Sequence, residues 1–218
     1  MKTNRRDAGE RKPRQTDVRA KEFGKCCIVT DGRRTEVNYF EGLKRTLPSS
    51  IQSSVVVRCV AKPQLLIDEV KRLRKGPELR RYWIVFDRDE VPGFDKIVAN
   101  AESQRINVGW SNPCFEVWLA GYFANGSVSN FENSKECVAA FEKLFKDRVK
   151  FEYKKNVPNI YDVLSNNGDE ANAIEKAKAK YRNERNVKDA PSEMRCTTVH
   201  LLVEQLVAAR DVQDAEQA

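Results

Sequence analysis

Short apolar runs alternate with amphipathic segments from Lys25 onward. Cys26-Cys27-Ile28-Val29 is a compact apolar run ending at Asp31-Gly32. Val37, Phe40, Leu43 and Leu47 then share one face of a helix that Pro48 stops. The β-branched run Val55 to Val60 predicts a strand. Pro63 suits a first helical turn, Leu66, Val70 and Leu73 follow at helical spacing, and Gly76-Pro77 closes the segment. Tyr82-Trp83-Ile84-Val85-Phe86 is apolar without interruption, as a central strand covered on both faces requires. After a polar turn from Asp87 to Gly93, the pattern predicts a helix over 94–103, a strand over 106–110, and a helix from Asn112-Pro113 that carries Phe115, Trp118, Leu119 and Tyr122.

Four strands each followed by a helix predict an α/β fold with a parallel sheet and helices on both faces. From about residue 126 the strand signals stop. Helices are expected around Val138, Phe141 and Phe145, over 170–186, and around Val199, Val203, Leu206 and Val207. The expected organisation is a basic disordered tail over 1–24, an α/β core over 25–125 and a helical extension over 126–218 packed on it.

Composition narrows the functional classes. No apolar run reaches membrane-span length, and the N-terminus has no apolar signal stretch, so a cytoplasmic protein without membrane contact is expected. The net charge of +7 is concentrated at the start, where residues 1–25 hold nine Lys/Arg against four Asp/Glu. Such a tail attracts anionic partners, nucleic acid among them, and equally reads as a solvated terminus. The six cysteines include no CxxC pair. Zinc spacing is absent, and Cys26, Cys27 and Cys59 read as buried free thiols. His200 is the only histidine, which excludes two-histidine ribonuclease, HNH and HExxH chemistry within the chain. Neither a P-loop nor a GxGxxG is present.

Carboxylates remain. In an open parallel sheet the working crevice lies at the carboxyl ends of the strands. Asp31 ends the first strand, Asp87 and Asp89 the third, and Ser111 the fourth; Glu36 and Glu116 lie at the starts of the following helices. Residues i and i+2 of an extended chain point to one side, so Asp87 and Asp89 are expected to converge on a cation. Hard oxygen donors select Mg²⁺ or Mn²⁺. Taken singly, Asp31 and Glu36 read more readily as a loop acid and a helix-dipole partner than as a site. Arg33 and Arg34 flank the first acid, and Lys176 and Lys180 belong to a basic helical run. All four are candidate nucleic-acid contacts, and all four also read as solvated surface charge.

Three ordered pieces, Asp31-Gly32-Arg33-Arg34-Thr35-Glu36-Val37-Asn38-Tyr39-Phe40, Phe86-Asp87-Arg88-Asp89 and Ser111-Asn112-Pro113-Cys114-Phe115-Glu116-Val117-Trp118-Leu119, resemble the RloB/AbiLii-like family of abortive-infection proteins, with its Toprim-like domain. A weaker match covers Thr197 to Val203. The resemblance implies a Mg²⁺- or Mn²⁺-dependent nuclease in phage defence, acting on DNA or RNA and controlled by a partner ATPase, with a homo-oligomer left open. It implies Asp31, Asp87 and Asp89 as metal ligands, with Asp31 standing where Toprim domains carry glutamate. Glu36 joins the catalytic set, and Glu116 and Ser111 complete the metal shell. The rival from another class is a non-catalytic Toprim-like module that binds nucleic acid or a partner. A topoisomerase or primase would need domains for which the chain has no room.

Overall fold

A computed structural model describes residues 23–31, 34–74, 80–89, 91–123 and 131–217. Four strands, β1 (Lys25–Thr30), β2 (Val55–Cys59), β3 (Arg80–Asp87) and β4 (Asn107–Ser111), form one sheet in the order β2-β1-β3-β4. Every pairing is parallel. The helices between strands are α1 (Thr35–Thr46), a short α2 (Ser49–Gln52), α3 (Leu66–Leu73) behind a 3-10 turn at Pro63–Leu65, and α4 (Phe94–Ser103). Then follow α5 (Glu116–Ala120), α6 (Ser134–Val149), α7 (Ile160–Asn167), α8 (Glu170–Arg185) and α9 (Val199–Gln217). The expected class, a parallel α/β sheet with helices on both faces and a helical C-terminal part, is what the chain adopts.

Side-chain alternation divides the sheet into two cores. Cys26 and Ile28 of β1, Val55 and Val57 of β2, and Trp83 and Val85 of β3 pack with Tyr39, Phe40 and Leu43 of α1 on one face. Cys27, Val29, Tyr82, Ile84, Phe86, Val108 and Trp110 point the other way, onto Leu66 and Val70 of α3 and Phe94 and Val98 of α4. All five residues of the 82–86 run are buried, as the unbroken apolar sequence predicts.

The C-terminal helices extend the first core. Phe141 and Phe145 of α6, Ile160 and Leu164 of α7, Ala173 and Ile174 of α8, and Val199, Leu202 and Leu206 of α9 belong to the same buried cluster as β1 and α1. The extension is therefore continuous with the core. Gly42 lets α1 and α7 touch, since a Cβ there would stand 2.5 Å from the Cβ of Tyr161.

Some expectations change in detail. Residues 1–22 of the proposed tail lie outside the described residues, whereas Phe23 is buried in the first core with the Arg81 guanidinium 5.4 Å from its ring centroid. The expected stop at Gly76-Pro77 also falls outside them. The strand pattern extends past residue 126 in one place: Ser111 forms an antiparallel bridge with Thr197. Cys59 is exposed, because it ends the edge strand β2; Cys26 and Cys27, on interior β1, are buried. All six thiols are free.

Candidate metal centre

Parallel register carries two acids to the same edge. Thr30 of β1 pairs with Val85 of β3, and the Asp31 N–H donates to the Val85 carbonyl at 3.2 Å. Asp31 and Asp87 thus stand where two adjacent interior strands end. Asp87 follows Val85 by one alternation and so faces the α1 side. There α1 opens with Thr35 and Glu36, and α5 opens with Glu116. Asp31, Glu36, Asp87 and Glu116 line one cavity of about 330 Å³, together with Arg34, Thr35 and Lys155.

The carboxylates feel one another. Burial pushes the Asp87 pKa well above the ordinary carboxylate range, and Glu36, Asp31 and Glu116 add repulsion that Lys155 only partly offsets. Glu36 is raised by burial, with a further contribution from Glu116. Burial alone would lower Lys155, yet Glu116 and Asp87 lead a set of anionic neighbours that raise it. The cavity therefore carries more negative charge than its cations balance, the condition in which carboxylates take up protons or a cation.

A strap from the helical extension closes one side. Between α6 and α7 the chain places Tyr153 in the core, its ring edge-on to Phe141 at 4.7 Å. The Tyr153 hydroxyl donates to Glu116 Oε1 at 3.0 Å, and Lys155 Nζ lies 3.9 Å from the same oxygen. Thr35 Oγ1 donates to the Lys155 carbonyl at 2.7 Å, and Asn38 Nδ2 to the Val157 carbonyl at 3.0 Å. The first turn of α1 thus pins the strap that delivers Lys155.

A family model described as RloB-like protein matches residues 26–206. The chain belongs to the RloB-like family. Comparison with curated proteins and with solved structures gave no match. In this RloB-family protein no helix of the described residues is long and apolar enough to cross a membrane.

The donor set suits a hard divalent cation, since every acidic donor is a carboxylate oxygen. Among the described residues, however, no three His, Cys, Asp or Glu side chains are gathered closely enough to hold an ion as they stand. The chemistry fits and the side-chain spacing is open.

Other candidates sit elsewhere. Asp89 does not line the cavity. β3 ends at Asp87, the Arg88 and Asp89 N–H groups reach back to Ser111 and Pro113, and Val91 N–H closes a turn onto Arg88. The alternation expected to align Asp89 with Asp87 stops with the strand. Ser111 is buried, and its hydroxyl lies 2.9 Å from that of Thr197, outside the cavity lining. Arg34 is exposed at the cavity rim; Arg33 lies outside the described residues.

On α8 the two candidate lysines are engaged within the chain. Lys176 Nζ donates to the Phe123 carbonyl at 2.7 Å, and Lys180 pairs with Glu184 at 3.0 Å. Although its burial works against ionisation, Glu184 is held down to about 2, chiefly by Lys188 and Lys180. His200 is buried with Nδ1 3.2 Å from the Thr197 carbonyl, a packing role.

Lys155 and Thr35, which line the cavity, and Tyr153, which holds Glu116 from behind, are the residues that sequence patterns did not single out. Residues 150–157 show no hydrophobic period and belong to no family piece. An aromatic and a lysine in a polar loop carry no local signal.

Proposed function

We propose that this RloB-family protein is a Mg²⁺- or Mn²⁺-dependent nuclease that hydrolyses phosphodiesters at the edge cavity, under the control of a partner ATPase in phage defence. The observation that carries the reading is the lining of one cavity, where parallel strands finish, by four carboxylates from three separate segments of the chain. Asp31, Asp87 and Glu36 would hold the cation. A divalent cation there supplies Lewis acidity toward a phosphate oxygen and lowers the pKa of the attacking water.

The protein's own groups do the remaining work. Tyr153 fixes the orientation of Glu116, the fourth carboxylate. Arg34 at the rim meets the polyanion. Asp89 and Ser111, outside the cavity lining, would serve as the metal ligands expected of them only if the Val91–Arg88 and Ser111–Thr197 contacts rearrange.

The spacing of the carboxylates favours a second reading, a non-catalytic nucleic-acid- or partner-binding module with a Toprim-like core. Activity separates the two. The protein, with its ATPase partner present, is incubated with Mn²⁺ against plasmid, single-stranded DNA and total RNA. The nuclease reading expects cleavage that Asp87→Asn reduces by on the order of 10³-fold. Cleavage equal in wild type and variant, or none from either, supports the binding module.

A further inference from the structure

We propose that Lys155, with Arg34, is the phosphate clamp of the carboxylate cavity: it holds a nucleic-acid phosphate against the acids that do the chemistry. This rests on the nuclease reading above. A cavity lined by four carboxylates repels a polyanion unless cations stand on the same wall. Arg34 and Lys155 are the two basic side chains among the residues that line it.

Lys155 is placed there by its surroundings. Its carbonyl accepts from buried Thr35, Val157 two residues on accepts from Asn38, and Tyr153 two residues before is anchored in the core and bonded to Glu116. The backbone on both sides is therefore fixed. The ammonium, in a side chain with 56% of its surface exposed, lies 3.9 Å from Glu116 Oε1, outside hydrogen-bond range. A lysine built only to neutralise Glu116 would close that gap, because the carboxylate is 2% exposed and such pairs contract to about 2.7–2.9 Å. Instead Tyr153 satisfies Glu116 from the protein side, and the ammonium is held at the mouth, where an incoming phosphate oxygen can take its N–H groups. Lysine serves phosphate as a point charge with three rotatable donors.

The test measures binding without turnover. Wild type, Lys155→Met, Lys155→Arg and Lys154→Met are titrated with short fluorescein-labelled single-stranded DNA and RNA of one sequence, with Ca²⁺ in place of Mg²⁺, between about 50 and 200 mM salt. Lys154 is exposed and does not line the cavity, so it controls for loss of charge alone.

Lys155→Met is expected to weaken binding of the cleavable polymer by at least about tenfold. It should also reduce the steepness of log K against log salt by about 0.7. Lys155→Arg should bind as wild type, and Mn²⁺ affinity should not fall in Lys155→Met. Equal behaviour of Lys155→Met and Lys154→Met overturns the clamp and leaves the nuclease reading intact. So does a Lys155→Met that loses Mn²⁺ and oligonucleotide together, because the lysine would then be supporting the cavity. A wild type that binds neither oligonucleotide even with its ATPase partner present, yet binds Mn²⁺, overturns the clamp and the nuclease reading with it.

Discussion

Asp87→Asn raises the melting temperature of the metal-free protein at neutral pH, and the gain vanishes as the pH is lowered to about 4. Burial, then Glu36, Asp31 and Glu116, make the ionised Asp87 costly in the folded state. Its folded pKa lies above the unfolded one, so between the two the folded chain holds a proton that the unfolded chain has released. Stability therefore falls as the pH rises through that window, and is fully present only below the unfolded value near 3.8. Asparagine keeps the shape and removes the charge. Each kcal/mol relieved raises the melting temperature by roughly 2–4 °C in a chain of this size.

Mg²⁺ should reverse the order, stabilising wild type and leaving the variant unmoved, since a ligand stabilises only the state that binds it. Melting curves in chelator and in Mg²⁺, from about pH 4 to 8, check both statements. A variant that melts below wild type in chelator at pH 7 contradicts the crowding of the carboxylates.

Tyr153→Ala should be the most damaging single change near the cavity. It removes a buried ring packed against Phe141 and Phe145, and it strips the hydroxyl from buried Glu116. Truncating a buried aromatic costs about 3–5 kcal/mol, or roughly 6–20 °C of melting temperature here. Tyr153→Phe separates the two contributions. It keeps the ring and leaves Glu116 without that donor, at about 1–3 kcal/mol. Denaturant titration of both variants gives the difference. A Tyr153→Ala within about 1 kcal/mol of wild type shows that the strap is not anchored as described.

Interior strands and their terminal acids were legible in the sequence because their signals are local. The apolar run at 82–86 announces β3, and the polarity change after it places Asp87 at the strand end. Asp31 follows by the same reasoning, and Glu36 and Glu116 follow from family pieces that open helices. What escaped detection depends on contacts between distant segments. α7 is only eight residues long, and its apolar Ile160, Val163 and Leu164 end in Ser-Asn-Asn. Lys155 reaches the cavity because Thr35, 120 positions earlier, holds its carbonyl. The DxD spacing promised a convergence that lasts only while the chain stays extended, and β3 ends at Asp87. Lys176 and Lys180 were visible as a basic run, but the Phe123 carbonyl and Glu184 that engage them were not.

Direct Mn²⁺ binding to the purified chain, followed by electron paramagnetic resonance or calorimetry, tests the central claim most closely. Wild type should take up Mn²⁺, and Asp31→Asn/Asp87→Asn, still folded, should not. Failure of wild type to bind Mn²⁺, or unchanged binding by the folded double variant, would contradict it.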